Sequence, residues 1–175
     1  MKLVSIDVET NGPISGYHSL IELGAVIVEP ELKQQFHIYV RPLFPNYDPS
    51  TMKASGLTRG SILARPTQDN IQIAMLKFYD WLALHKKENE ALVFIGDNPG
   101  FDFSFVSHGF YVSGKHNPFG HSSMHIGSLF KGMNFDIKAN FKKLRKTKHS
   151  HNALDDAMGN AEALLAFGPQ IKGLL

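Results

Sequence analysis

Leu3-Val4-Ser5-Ile6-Asp7-Val8-Glu9-Thr10 reads as the end of a buried strand from which two carboxylates emerge. Leu3, Val4 and Ile6 are apolar or β-branched, and Asn11-Gly12-Pro13 stops the run, so a short strand follows. Residues two apart on a strand project to one face, so Asp7 and Glu9 point the same way. Side by side they repel unless a cation sits between them. Oxygen-only ligands suit a hard cation, Mg²⁺ or Mn²⁺, better than zinc. The same pair also reads as a solvated acidic strand edge, and the rest of the chain decides between the two.

At 175 residues, with 43% hydrophobic and 19% charged, the composition is that of one globular domain, 1–175, able to bury a sizeable core. The absence of cysteine excludes disulfides, iron–sulfur clusters and thiolate zinc sites, and leans toward a cytoplasmic setting. Met1-Lys2 reads straight into the first strand, so no signal peptide is expected, and no apolar run reaches the length of a membrane span. The net charge of +2 is too small to require a polyanionic partner, so the distribution of charge matters more than its sum.

Residues 20–28, Leu-Ile-Glu-Leu-Gly-Ala-Val-Ile-Val, form a second buried strand with Glu22 in it. Residues 35–40 alternate as a third, and the short connections predict an antiparallel meander. Residues 41–65 read as a long surface excursion with one short helix near 50–54. Residues 69–85 form an amphipathic helix with Ile73, Leu76, Tyr79, Leu82 and Ala83 on its stripe and Phe78 off it. A fourth strand at 91–95 crosses over through that helix and so lies parallel to the first. A helix at 102–111, a short fifth strand at 124–126, a helical turn at 141–144 and a helix at 152–167 complete the chain. This order predicts an α/β fold, a mixed five-stranded sheet with helices on both faces.

Two further acidic sites fall where this sheet brings them toward Asp7 and Glu9. Asp102 follows the fourth strand in Asn98-Pro99-Gly100-Phe101-Asp102; on spacing alone it reads as a helix cap or a dipole partner. In His151-Asn152-Ala153-Leu154-Asp155-Asp156, Asn152 reads as an N-cap and Asp155 as its capping-box partner, leaving Asp156 one turn in. His151 lies just outside the helix, where the positive end of the dipole disfavours the imidazolium and suits a general base.

Together, Asp7-x-Glu9, Asn98-x-x-Phe101-Asp102 and His151-x-Ala153-x-x-Asp156 resemble the three motifs of the DEDD 3′→5′ exonucleases, in the branch with a histidine before the final aspartate. Polymerase proofreading subunits, oligoribonuclease and ribonuclease T belong to that group, and Asn117-Pro118-Phe119-Gly120-His121 is a short echo of ribonuclease T. The resemblance spans nearly the whole chain and implies a ribonuclease H-like fold. It implies two divalent ions, Mg²⁺ or Mn²⁺, held by Asp7, Glu9, Asp102 and Asp156, with His151 as the base. Phosphodiester hydrolysis needs a deprotonated water at neutral pH and a positive clamp on the leaving oxygen, and two metal ions supply both. It also implies that Thr10, Asn11 and Gly12 border the terminal nucleotide of a single-stranded DNA or RNA with a free 3′ end. Phe101 either faces a base or joins Phe105 in the core. Many members carry an aspartate on the fifth strand where this chain has His125. The group includes dimers and polymerase-associated subunits, so a homodimer or a polymerase-type partner stays open.

Residues 142–148 carry five positive charges in seven positions directly before the last motif. Such a run reads either as a solvated face or, through Lys142, Lys143 and Lys146, as a phosphate contact. His116, His121 and His125 lack the spacing and the fourth ligand of a zinc site. The expected activity is metal-dependent 3′→5′ exonucleolysis releasing nucleoside 5′-monophosphates. The rival readings are a non-catalytic nucleic-acid-binding or polymerase-accessory subunit and a metal-dependent hydrolase of small phosphate esters.

Overall fold

A computed structural model describes residues 1–65 and 67–170; the expected domain limits, 1–175, run past them. The elements are β1 (Lys2–Thr10), β2 (Leu20–Ile27), β3 (Gln35–Tyr39), α1 (Pro49–Ser55), α2 (Arg59–Leu63), α3 (Ile71–His85), β4 (Leu92–Gly96), α4 (Pro99–Val112), β5 (Ser123–His125), α5 (Ile126–Asn134) and α6 (Ala153–Phe167). A 3₁₀ turn at Phe141–Leu144 precedes α6 and another, Gly168–Gln170, follows it. The five strands lie in the order β3-β2-β1-β4-β5. β1, β2 and β3 form the antiparallel meander, and β4 returns parallel to β1 after the α3 crossover, with β5 parallel to β4.

The alternation of β1 divides the core. Val4, Ile6 and Val8 enter one cluster with Phe78 of α3 and Phe105 and Phe110 of α4. Leu3 faces the other way, into a cluster with Ala157, Ala161 and Leu164 of α6. Helices therefore cover both faces, as the element order predicts. Asp7 and Glu9 share the parity of Leu3 and Ser5, and the Ser5 hydroxyl donates to the Ala157 carbonyl at 2.8 Å. The two carboxylates consequently emerge on the α6 side.

Four expectations need correction. The inner stripe of α3 is Ile71, Ala74, Met75, Phe78 and Leu82, while Ile73 and Leu76 are 44% and 37% exposed. Apolar residues surround much of this helix, so its periodicity does not choose a face. Phe78 chooses it, packing on Phe36, Trp81, Phe110 and Phe119. The excursion after β3 holds two helices, not one: Met52 of α1 and Ile62 of α2 are buried against Ile21. At five residues α2 has no readable period, and a Thr58–Ser61 capping box holds it. α4 begins at Pro99, a residue suited to a first helical turn, rather than at Asp102. Last, β5 is displaced by one residue and runs directly into α5, which the periodicity did not reveal; His125 ends the strand and caps the helix, accepting from Ser128 N–H.

Candidate active site

Asp7, Glu9 and Asp156 each bring a carboxylate oxygen within 4.8 Å of the others, the only cluster among the described residues with the geometry to hold a metal ion. β1 supplies two of them and the first turn of α6 the third. Two features of β2 let α6 come so close. Gly24 leaves room, since a Cβ there would lie 2.2 Å from the Ala153 carbonyl carbon. Glu22, 1% exposed, accepts the Ala153 N–H at 3.1 Å, and Arg65 and His37 grip its carboxylate at 2.9 Å each.

Asn152 caps α6 as expected, accepting from the N–H groups of Leu154 and Asp155. Asp155 does not complete a capping box. Its exposed carboxylate accepts instead from the Ser150 hydroxyl at 2.9 Å, because the left-handed His151 (φ +55°) turns the chain before the cap. Asp156 is buried; its Oδ1 accepts from Ser150 N–H at 3.3 Å, and its Oδ2 is buried with no hydrogen-bond partner.

Asp102 stands apart from the trio. It caps nothing: its Oδ1 accepts the Val8 N–H of β1 at 3.2 Å, tying α4 to the strand between Asp7 and Glu9. It still belongs to the same electrostatic unit. Burial, then the charges of Asp102, Asp156 and Glu9, push the Asp7 carboxyl well above its ordinary range, against the pull of Arg145. Burial, then Glu22, Asp156 and Asp102, raise Glu9 to about 8. Burial raises Asp102 to about 7 even though hydrogen bonds from Val8 and from its own N–H oppose it.

Two histidines border the trio. His151, largely solvent-facing, places Nδ1 3.9 Å from Glu9 Oε1. His149, which motif spacing overlooked, places Nδ1 2.8 Å from Asp156 Oδ1, and the two rings meet edge to face at 4.3 Å. The His149-Ser150-His151 doublet is the signal that could have found it. Arg145 was likewise hidden in the basic run. Its guanidinium turns inward, 7% exposed, to Asp97 at 3.4 Å and to the Asn160 carboxamide oxygen.

The expected substrate contacts fall around this centre. The Thr10 hydroxyl donates to the Gly12 carbonyl and the Asn11 carboxamide accepts from Ser19 N–H, so both side chains serve the loop. Gly12 closes over His18, whose ring a Cβ would strike at 2.2 Å. Phe101 is half-buried with its ring 5.0 Å from that of Phe105, and Phe105 belongs to the core. Lys142, Lys143 and Lys146 are exposed, with Lys142 paired to Asp97 at 2.8 Å.

Comparison with known proteins agrees with this geometry. The exonuclease family model matches residues 4–164. The 3′-5′ DNA exonuclease Cap18 of Escherichia coli is 35% identical over 169 residues, covering 91% of this chain and 87% of the relative. The nuclease domain of 3′hExo, a DEDDh family member bound to rAMP, shares the fold with a TM-score of 0.75 at 16% identity, covering 97% of this chain and 92% of that one. E. coli exonuclease I in complex with a dT13 oligonucleotide superposes with a TM-score of 0.70 at 14% identity over 97% of this chain, which spans 42% of that protein. These matches bear out the expected DEDDh-type 3′→5′ exonuclease and its ribonuclease H-like fold. The chain belongs to the exonuclease family, enzymes that hydrolyse nucleic acid.

Proposed function

We propose that this exonuclease removes nucleoside 5′-monophosphates from the 3′ end of single-stranded DNA, with residues 1–175 acting as one catalytic domain. Asp7, Glu9, Asp102 and Asp156 hold two divalent ions, Mg²⁺ or Mn²⁺, in this reading. The observation that carries it is the converging trio of carboxylates, Asp156 buried and Asp7 and Glu9 partly so, with Asp156 Oδ2 left without a partner. Arg145 Nε and Asn160 Nδ2 are likewise buried without a partner, but Asp156 Oδ2 is the one acceptor among them. An all-oxygen donor set with raised carboxyl pKa values fits hard cations that return those groups to the anionic form. The choice of DNA follows the name of the E. coli relative.

When bound, such ions lower the pKa of an attacking water and neutralise charge on the leaving oxygen. The protein contributes position and proton transfer. β1 and α6 fix the carboxylates on packed elements. His151 faces solvent beside Glu9 and takes the proton of the attacking water. The backbone of Thr10, Asn11 and Gly12 borders the terminal nucleotide, and the half-buried face of Phe101 meets its base. Lys142, Lys143 and Lys146 meet backbone phosphates. Among the described residues no helix is long and apolar enough to cross a membrane, and a cysteine-free chain fits a cytoplasmic setting.

The test is digestion of matched 5′-labelled single-stranded DNA and RNA with Mg²⁺, Mn²⁺ or EDTA, followed by product sizing. The expected result is a ladder shortening from the 3′ end, faster on DNA and absent in EDTA. Immediate release of the labelled nucleotide, or undiminished digestion in EDTA, overturns the reading.

A further inference from the structure

Beside the carboxylate site, at the ends of β4 and β5, lies a groove of about 460 Å³ lined by Asp97, His125, Lys131, Lys138, Asn140 and Lys142 among others. Its place follows from the sheet register. Ser5 pairs with Ile95, so two residues further on Asp97 stands level with Asp7; Gly96 pairs with His125 on the next strand. Neighbouring strands are about 4.8 Å apart, so the β5 side of the groove begins about 10 Å from Asp7.

The charge of the groove is unbalanced. Asp97 is its one lining carboxylate and is already held by Lys142 at 2.8 Å and Arg145 at 3.4 Å. Lys131 and Lys138 form no salt bridge among the described residues, and the nearby Asp136 accepts a backbone N–H, that of Lys138. Between these lysines in the chain, and outside the groove's lining, Phe135 takes the left-handed conformation (φ +50°) at the end of α5 and is 98% exposed; Ile137, which does line the groove, is 79% exposed. A bulky residue in that conformation is uncommon, and here it holds an aromatic face in solvent. Cations interleaved with an exposed ring are what a single strand needs: phosphate contacts and a stacking platform that tolerates any base.

We infer that this groove is a second binding site for the single-stranded substrate, upstream of the bond that is cut. Lys131 and Lys138 take backbone phosphates and Phe135 stacks a base. The inference rests on the exonuclease reading for its direction, but the groove's affinity for a single strand does not depend on cleavage.

Two measurements on the full chain separate them. The first is anisotropy of labelled dT12 in EDTA, against salt, for the wild type and for Lys131→Gln/Lys138→Gln and Phe135→Ser. Losing two phosphate contacts should flatten the slope of log K against log salt by about 1.4. Phe135→Ser should weaken binding about fivefold or more, since stacking on an aromatic is worth about 1–3 kcal/mol per base. The second is the ratio of kcat/KM for dT12 to that for a dinucleotide with Mn²⁺, which should fall about fivefold or more in both variants. Wild-type binding without cleavage leaves the groove standing and removes the exonuclease reading. Cleavage with salt slope, affinity and length ratio all unchanged in the variants overturns the groove, as does a wild type that does not bind dT12.

Discussion

Glu22 and Ala153 join the centre of the sheet to the helix that carries Asp156: the buried Glu22 carboxylate accepts the Ala153 N–H at 3.1 Å, in the first turn of α6. Glu22 lies directly across the ladder from Glu9, yet Arg65 and His37 occupy its remaining reach. It acts on the site by placing α6. Glu22→Ala leaves the half-buried Arg65 with the Ile21 carbonyl but no carboxylate, and leaves the buried Ala153 N–H without its acceptor, so a loss of about 2–4 kcal/mol is expected in urea unfolding. Glu22→Gln keeps an acceptor for Ala153 and should cost less. A loss under about 1 kcal/mol for Glu22→Ala would show that α6 is held by Gly24 packing alone.

Burial and like charge set a pH dependence of stability. Glu9 is raised to about 8 and Asp102 to about 7, and Asp7 is raised as well, against unfolded values near 4. Between those values the folded protein holds protons that the unfolded chain has released. The resulting stabilisation is fully present below about pH 4 and is lost as pH rises through about 7 to 8. In EDTA, Tm should therefore fall between pH 5 and 8.5, and Glu9→Gln should shallow the decline. Mn²⁺ should raise Tm most at the alkaline end, where the ligands are free of protons. A Tm that climbs across this window in EDTA contradicts the shared burial of the carboxylates.

Much of this site was legible because strand parity is strict. Once residues 3–10 are a strand, Asp7 and Glu9 must share a face, and Asn152 before an alanine- and leucine-rich run must cap a helix. What stayed hidden depends on contacts between distant segments. Nothing near Asp102 in sequence announces that its carboxylate bonds the Val8 N–H, and nothing in residues 142–148 distinguishes the inward Arg145 from its exposed neighbours. The face of α3 was misread for the same reason, since the partner of Phe78 is the aromatic cluster of three other segments.

Asp155 and Asp156 are adjacent but face different surroundings. Asp156→Asn should abolish turnover, because it removes the charge of the buried member of the trio while nearly preserving shape. Asp155→Asn changes one exposed bond to Ser150 and should alter stability by about 1 kcal/mol or less and kcat by less than about threefold. Steady-state kinetics on a labelled single strand together with thermal melts measure both. Exchanged phenotypes would mean that the helix presents the other aspartate to the substrate.

His149 and His151 divide the remaining roles. His149 touches Asp156 Oδ1 at 2.8 Å, so it orients a carboxylate; His151 stands 3.9 Å from Glu9 with solvent on its other side, so it can reach a water molecule. His151→Gly suits the left-handed backbone at that position and removes only the imidazole. It should lower kcat about 10²–10⁴-fold while Mn²⁺ affinity, read by calorimetry, stays within about threefold, and added imidazole should restore part of the rate. His149→Ala should change kcat less than about tenfold and not respond to imidazole. If imidazole rescues the His149 variant instead, the base is the residue bonded to Asp156. If neither variant slows turnover, proton transfer from the attacking water does not pass through either ring.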